Sequence, residues 1–156
     1  MLNAQHVWRC GFDDGIVRIF DSASTSLLEE YQQHEGKVLA LAYSHGARRL
    51  FSAASDGGLC AYDVLHSYQP CRAYAAAPHA DSPCLAVCAD DTILAVGGLQ
   101  PTTLLLFQAS SLALLRALPL QYDMHALAFG PRRTLHASTS ACSLVTIKLP
   151  PSSRVA

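Results

Sequence analysis

Two segments of this chain repeat one short device 42 residues apart. FDDGIVRIFD (12–21) and SDGGLCAYD (55–63) each place an Asp-Gly turn before a short apolar strand, which closes on an aromatic residue and then Asp. Asp14 precedes Phe20 by six residues, and Asp56 precedes Tyr62 by six. The closing position recurs at Phe20, Tyr62, Phe107 and Ile147, in steps of 42, 45 and 40 residues. A second landmark keeps register with it: His34 stands four residues before Val38, and His79 four before Pro83. A third is the end of each unit's first strand, read at Tyr43, Cys88 and Phe129.

A period of about 40–45 residues built from short strands and tight turns is that of a propeller blade. Fourteen runs of apolar and β-branched residues, bounded by turn residues, fit the anchors. LALLRALPL has helical propensity, but the register places a fourth strand there and Pro119 opposes a helix. The expected fold is all-β: a partial β-propeller of about four four-stranded blades. The first blade lacks its innermost strand and the last its outermost. The units span approximately 6–33, 34–78, 79–121 and 122–149, with 150–156 a Pro/Ser tail or linker. A propeller removes exposed sheet edges by closing, typically with about 4–8 blades. The chain therefore reads as an arc of a larger ring, part of a longer chain or a complex. The flanks of its end blades are expected to be bare and apolar.

Composition narrows the function. Half of the 156 residues are hydrophobic (51%) and the net charge is −1. That gives no basic stripe for nucleic acid. No run approaches the ~18–20 apolar residues of a membrane helix. MLNAQHVWRC has no leader pattern, and five of the six cysteines lie in apolar runs, where a reduced Cys acts as a small hydrophobe. These features point to a cytoplasmic protein with free thiols.

At these residues the chain resembles the WD-repeat β-propeller family. In that pattern a His before the first strand meets an Asp in the turn between the second and third. A Ser or Thr on the second strand and a Trp closing the third complete the network. The resemblance implies this structural network at His34, Ser52, Asp56 and Tyr62, with Asp14 and His79 as partial counterparts in neighbouring units. No unit holds the literal Trp-Asp pair, and the single Trp, Trp8, lies elsewhere. The motif style is also similar to centriolar and ciliary microtubule-associated WD-repeat proteins, which implies a cytoskeletal, centriolar or ciliary setting.

Catalytic and metal readings are weaker. His34, Ser52 and Asp56 have triad ingredients but no Gly-x-Ser-x-Gly elbow. His79, Cys84 and Cys88 lack a second ligand pair for zinc. No catalytic residue, metal or cofactor is expected. The paired arginines Arg48–Arg49 and Arg132–Arg133 fall in first-to-second-strand turns, with Asp90–Asp91 between them. They are candidate contacts for an acidic protein surface, such as tubulin tails. The expected function is a non-catalytic protein–protein interaction scaffold. The alternative is a propeller-based enzyme or cofactor-binding domain.

Overall fold

The computed structural model describes residues 7–75 and 82–149. Blade 1 holds β1 (Val7–Gly11), β2 (Ile16–Asp21) and β3 (Leu27–Gln32). Blade 2 holds β4 (Val38–Tyr43), β5 (Arg49–Ala54), β6 (Gly58–Asp63) and β7 (Gln69–Ala75). Blade 3 holds β8 (Cys84–Val87), β9 (Ile93–Gln100), β10 (Thr103–Gln108) and β11 (Leu114–Pro119). Blade 4 holds β12 (Met124–Gly130), β13 (Thr134–Thr139) and β14 (Leu144–Lys148). Each blade is an antiparallel meander in chain order, and LALLRALPL supplies β11.

Alternation along each strand explains the stacking, because side chains two apart share a sheet face. Val17 and Ile19 of blade 1 meet Leu50 and Tyr62 of blade 2. Phe51, Ala53 and Leu59 on the opposite face of blade 2 meet Leu94, Val96 and Phe107 of blade 3. Ala95, Leu104 and Leu106 then meet Leu135 and Ala137 of blade 4. The core is thus three inter-blade layers, and blades 2 and 3 are covered on both faces.

Blade 1 contributes second, third and fourth strands. Its β1–β2 turn is built like the β5–β6 turn: Asp14 accepts from Ile16 N as Asp56 accepts from Gly58 N. Gly15 (φ 80°) and Gly57 (φ 78°) both take the left-handed conformation, which glycine adopts without a Cβ penalty. A Cβ on Gly15 would stand 2.2 Å from the His34 carbonyl oxygen, so the turn also needs the missing side chain.

Two assignments shift by one residue. Ser44 N donates to Arg49 O and Cys88 N to Ile93 O, so Cys88 matches Ser44. Val87, not Cys88, takes the place of Tyr43 and Phe129. Val87 pairs with Leu94 across the same seven positions as Tyr43 with Leu50, so the blade 3 turn keeps the length of the blade 2 turn. Likewise Val64 N, Ala109 N and Leu149 N donate to Arg48, Thr92 and Arg133, which makes Arg133 the counterpart of Arg48. Arg132 matches Ala47 and Asp91, and all three are left-handed (φ 55°, 51° and 56°). One further expectation is corrected: the outer flank of blade 4 is mixed rather than apolar, since Thr134, His136 and Ser138 point away from the core that holds Leu135 and Ala137, beside the exposed Leu144. His79 and residues 150–156 lie outside the described residues.

Candidate functional site

At one end of blade 2, the chain before β4 meets the β5–β6 turn. His34 Nε2 lies 2.7 Å from Ser52 Oγ, and that hydroxyl is 3.3 Å from the Tyr62 hydroxyl. His34 Nδ1 is buried 3.5 Å from Asp56 Oδ2, too long for a good hydrogen bond. Asp56 also accepts from the backbone N–H groups of Glu35 (2.8 Å), Gly36 (3.4 Å) and Gly58 (2.7 Å). The carboxylate therefore ties the loop before β4 to the turn after β5.

The electrostatics follow from burial. Desolvation pulls the His34 pKa down, and Asp56 only partly offsets it, so the ring is neutral at pH 7. For Asp56 burial acts upward, but the Gly58 and Glu35 donors and the His34 ring outweigh it and hold the carboxyl below its usual range. Burial pushes the Tyr62 hydroxyl up, and the Cys60 thiol up to about 11. Ser52 is fully buried, so no open path leads a substrate carbonyl to its hydroxyl. The arrangement joins loops rather than activating a nucleophile.

Blades 1 and 4 lose this network in different ways. In blade 1, Asp14 turns to Arg18 at 2.7 Å, whose guanidinium lies over the Phe12 ring. In blade 4, hydrogen-bond register puts Leu120, Ala137 and Ile147 where His34, Ser52 and Tyr62 stand. All three join the apolar layer against blade 3. A complete polar network or none is the stable choice, because a half-satisfied buried one costs more than an apolar core.

At the opposite end, the rim turns carry the paired charges. Asp91 of blade 3 accepts from His45 N (2.6 Å) and Gly46 N (2.8 Å) of blade 2. Asp90 accepts from Arg133 Nη1 of blade 4 at 2.8 Å, and Arg133 Nη2 donates to Thr92 Oγ1 at 3.2 Å. Arg49 Nη1 donates to the Ala109 carbonyl of blade 3 at 3.1 Å. Arg49 and Arg133 thus fasten neighbouring blades, whereas Arg48 and Arg132 are exposed. Arg48 borders a cavity of about 330 Å³ between blades 2 and 3, which Asp63 and Leu65 also line. Replacing Arg133 by Ala is expected to cost about 1 kcal/mol, with coupling of about 0.5–1 kcal/mol to Asp90→Ala. A double-mutant cycle by urea denaturation reads both; zero coupling would mean the pair holds nothing.

One cluster escaped the residue pattern. Arg9 of β1 donates through Nε to the Tyr68 hydroxyl at 2.9 Å, and its guanidinium lies 4.6 Å from the centre of the Tyr43 ring. Tyr31 donates to the Ser67 carbonyl in the same loop. These residues clamp blade 1 to blade 2 through a cation–π contact. The one signal in the sequence is that Arg9, two residues from the inward Val7, shares its face. Among the described residues no group of three or more His, Cys, Asp or Glu side chains is gathered to hold a metal ion.

Fold and polar network together define an arc of a β-propeller whose loops are joined for rigidity. The family model of the WD domain, G-beta repeat, matches residues 25–63, which run from β3 to the end of β6. Centriole proteome protein 16 of Chlamydomonas reinhardtii is 34% identical over 113 residues, covering 70% of this chain and 5% of that protein. Mouse WD repeat-containing protein 90 is 38% identical over 58 residues, covering 37% of this chain and 3% of that protein. The chain belongs to the WD-repeat β-propeller family. It spans only a few per cent of these relatives' lengths. Among solved structures, a chain of the mitotic checkpoint complex matches with TM-score 0.80 at 18% identity, over 93% of this chain and 48% of that one. The dihydro-heme d1 dehydrogenase NirN matches with TM-score 0.80 at 19% identity, over 100% of this chain and 35% of that one. At such identities the likeness shows the fold alone.

Proposed function

We propose that this propeller arc is a non-catalytic protein–protein interaction scaffold in a centriolar or other cytoskeletal assembly. The observation that carries the reading is its similarity to the centriole proteome protein across most of the chain. The candidate network supports it: His34, Ser52, Asp56 and Tyr62 are buried in loop-joining contacts rather than open to a substrate. Function belongs to sites rather than folds, so the NirN likeness carries no dehydrogenase activity to this chain. Localisation is the direct test. A fluorescently tagged chain should concentrate at centrioles in ciliated cells, and a diffuse signal would sink the proposal.

The docking contacts in this reading are the rim arginines. Arg48 and Arg132 project into solvent and present charge to an acidic surface such as tubulin tails. Arg49 and Arg133 set their positions through neighbouring blades. Charge complementarity of this kind acts mainly on specificity and on-rate and weakens with salt. The double variant Arg48→Ala/Arg132→Ala should therefore reduce microtubule co-sedimentation several-fold at low salt, with less effect at high salt. Unchanged pelleting at both would remove tubulin tails as the partner.

A further inference from the structure

The joint between blades 2 and 3 keeps a space that the next joint closes. Between blades 3 and 4, Arg133 reaches back to Asp90 at 2.8 Å and to Thr92 at 3.2 Å. Thr92 is the blade 3 counterpart of Arg133, since Ala109 N donates to Thr92 O as Leu149 N donates to Arg133 O. Its short hydroxyl turns to Asp90 of its own blade at 2.6 Å. Thr92 therefore sends no long side chain back toward blade 2, and the cavity of about 330 Å³ remains beside Arg48.

The charges around this cavity are balanced in number but not in free capacity. Asp63 and Asp91 line it with carboxylates, and Arg48 and Arg49 with guanidinium groups. Asp63 Oδ1 accepts from Leu65 N at 3.0 Å and His66 N at 3.3 Å, and its Oδ2 lies 2.9 Å from His66 Nδ1. Asp91 accepts from His45 N on one oxygen and from Gly46 N on the other. Both carboxylates are thus engaged on both oxygens. Arg49 commits Nη1 to the Ala109 carbonyl. Among the described residues the exposed Arg48 guanidinium has no hydrogen-bond or ion-pair partner. The unused bonding capacity of the cavity is therefore cationic. Phe51, Ala109 and Leu65 make part of the wall apolar, and Leu65 is 66% exposed.

We propose that this cavity binds one carboxylate side chain of a partner peptide, an Asp or Glu beside an apolar residue. The inference rests on the docking role given to Arg48 above and names what that arginine receives. A guanidinium fork holds a carboxylate through two parallel N–H donors, a geometry that a free Arg48 can supply. The apolar neighbour of the acidic residue covers Leu65 and takes its exposed surface out of water. Size favours a side chain over a folded element, because about 300 Å³ is the lower end of the range for ligand pockets. Charge favours a carboxylate over a phosphate. The two arginines and two aspartates sum to zero, so attraction by one pair is largely offset by the other. The cost of stripping water from the ligand rises steeply with its charge, and a phosphate carries about −1.5 to −2.

The test titrates the isotope-labelled full chain with the peptide acetyl-Gly-Glu-Leu-Gly-amide and follows backbone amide shifts by nuclear magnetic resonance. Shifts should gather at Leu65, Asp91 and Ala109. The peptide should bind about tenfold more tightly than the same peptide with Gln in place of Glu, as a charge-assisted pair implies. Arg48→Ala should abolish that preference. Arg116→Ala, which removes an exposed cation of β11 outside the cavity, should keep it. Circular dichroism confirms the fold of each variant. No response, equal binding of the Glu and Gln peptides, a preference that survives Arg48→Ala, or tighter binding of inorganic phosphate than of the peptide overturns the proposal. Its failure is separable from that of the docking reading. If the peptide misses the cavity while Arg48→Ala/Arg132→Ala still lowers microtubule co-sedimentation, the cavity assignment alone falls. If the peptide binds as expected and co-sedimentation is unchanged in that variant, the cavity stands and tubulin tails fall.

Discussion

Phe51→Ala is expected to destabilise the chain by about 3–5 kcal/mol, the usual cost of deleting a fully buried aromatic ring and leaving a cavity. Phe51 is 0% exposed and lies in the apolar layer between blades 2 and 3. Each blade touches only its neighbours, so a hole in that layer weakens the joint between the two halves of the arc. The control is His136→Ala at the same position of blade 4. It gives up contacts with Thr146 and Thr134 that water can replace, and should cost about 1 kcal/mol or less. Urea denaturation followed by far-ultraviolet circular dichroism measures both. Equal losses would mean that the outer β13 face is packed as tightly as the β5 face between blades 2 and 3, contrary to its exposure.

This contrast was present in the residues before any coordinates. RLFSAAS is apolar at nearly every second position on both faces, whereas TLHASTS alternates Leu135 and Ala137 with Thr134, His136 and Ser138. Side-chain period two turns that alternation into one buried and one wet face. The Asp-Gly turns also revealed their role, because Gly15 and Gly57 hold the left-handed geometry that such turns need. Spacing failed in two ways. Cys88 opens the blade 3 turn rather than closing β8, since Cys88 N bonds Ile93 O as Ser44 N bonds Arg49 O. The blade 4 turn is one residue shorter, with Phe129 pairing Leu135 across six positions where Tyr43 pairs Leu50 across seven, which puts the arginines out of step by one. Inter-blade contacts were not legible at all. Asp90 with Arg133, and Arg9 with Tyr43 and Tyr68, join residues from 34 to 59 positions apart in sequence; only the stacking angle between blades brings them together.

His34→Ala should cost about 2–3 kcal/mol near neutral pH, since it leaves the buried Ser52 hydroxyl only its longer contact with the Tyr62 hydroxyl and removes the ring that packs between β5 and Asp56. The pH dependence separates this from a plain packing loss. Burial lowers the folded-state pKa of His34 below its ordinary ~6.5. Between the folded value and ~6.5 the unfolded chain binds a proton that the folded chain does not, so acid favours unfolding there. The His34 contribution is complete above ~6.5 and declines as pH falls through that value. Asp56 sits opposite the ring, and its lowered carboxyl pKa places its own losses further down, below its ordinary value of 3.8. The two windows are therefore distinct. The melting temperature of the wild-type chain should begin to drop between pH 7 and 5. His34→Gln, which keeps a hydrogen-bonding group beside Ser52 but cannot titrate, should be nearly flat across that interval. Parallel pH profiles for the two proteins would mean that burial does not lower the His34 pKa in the folded state, and that the loop before β4 is held mainly by the Asp56 contacts with the Glu35 and Gly36 backbone.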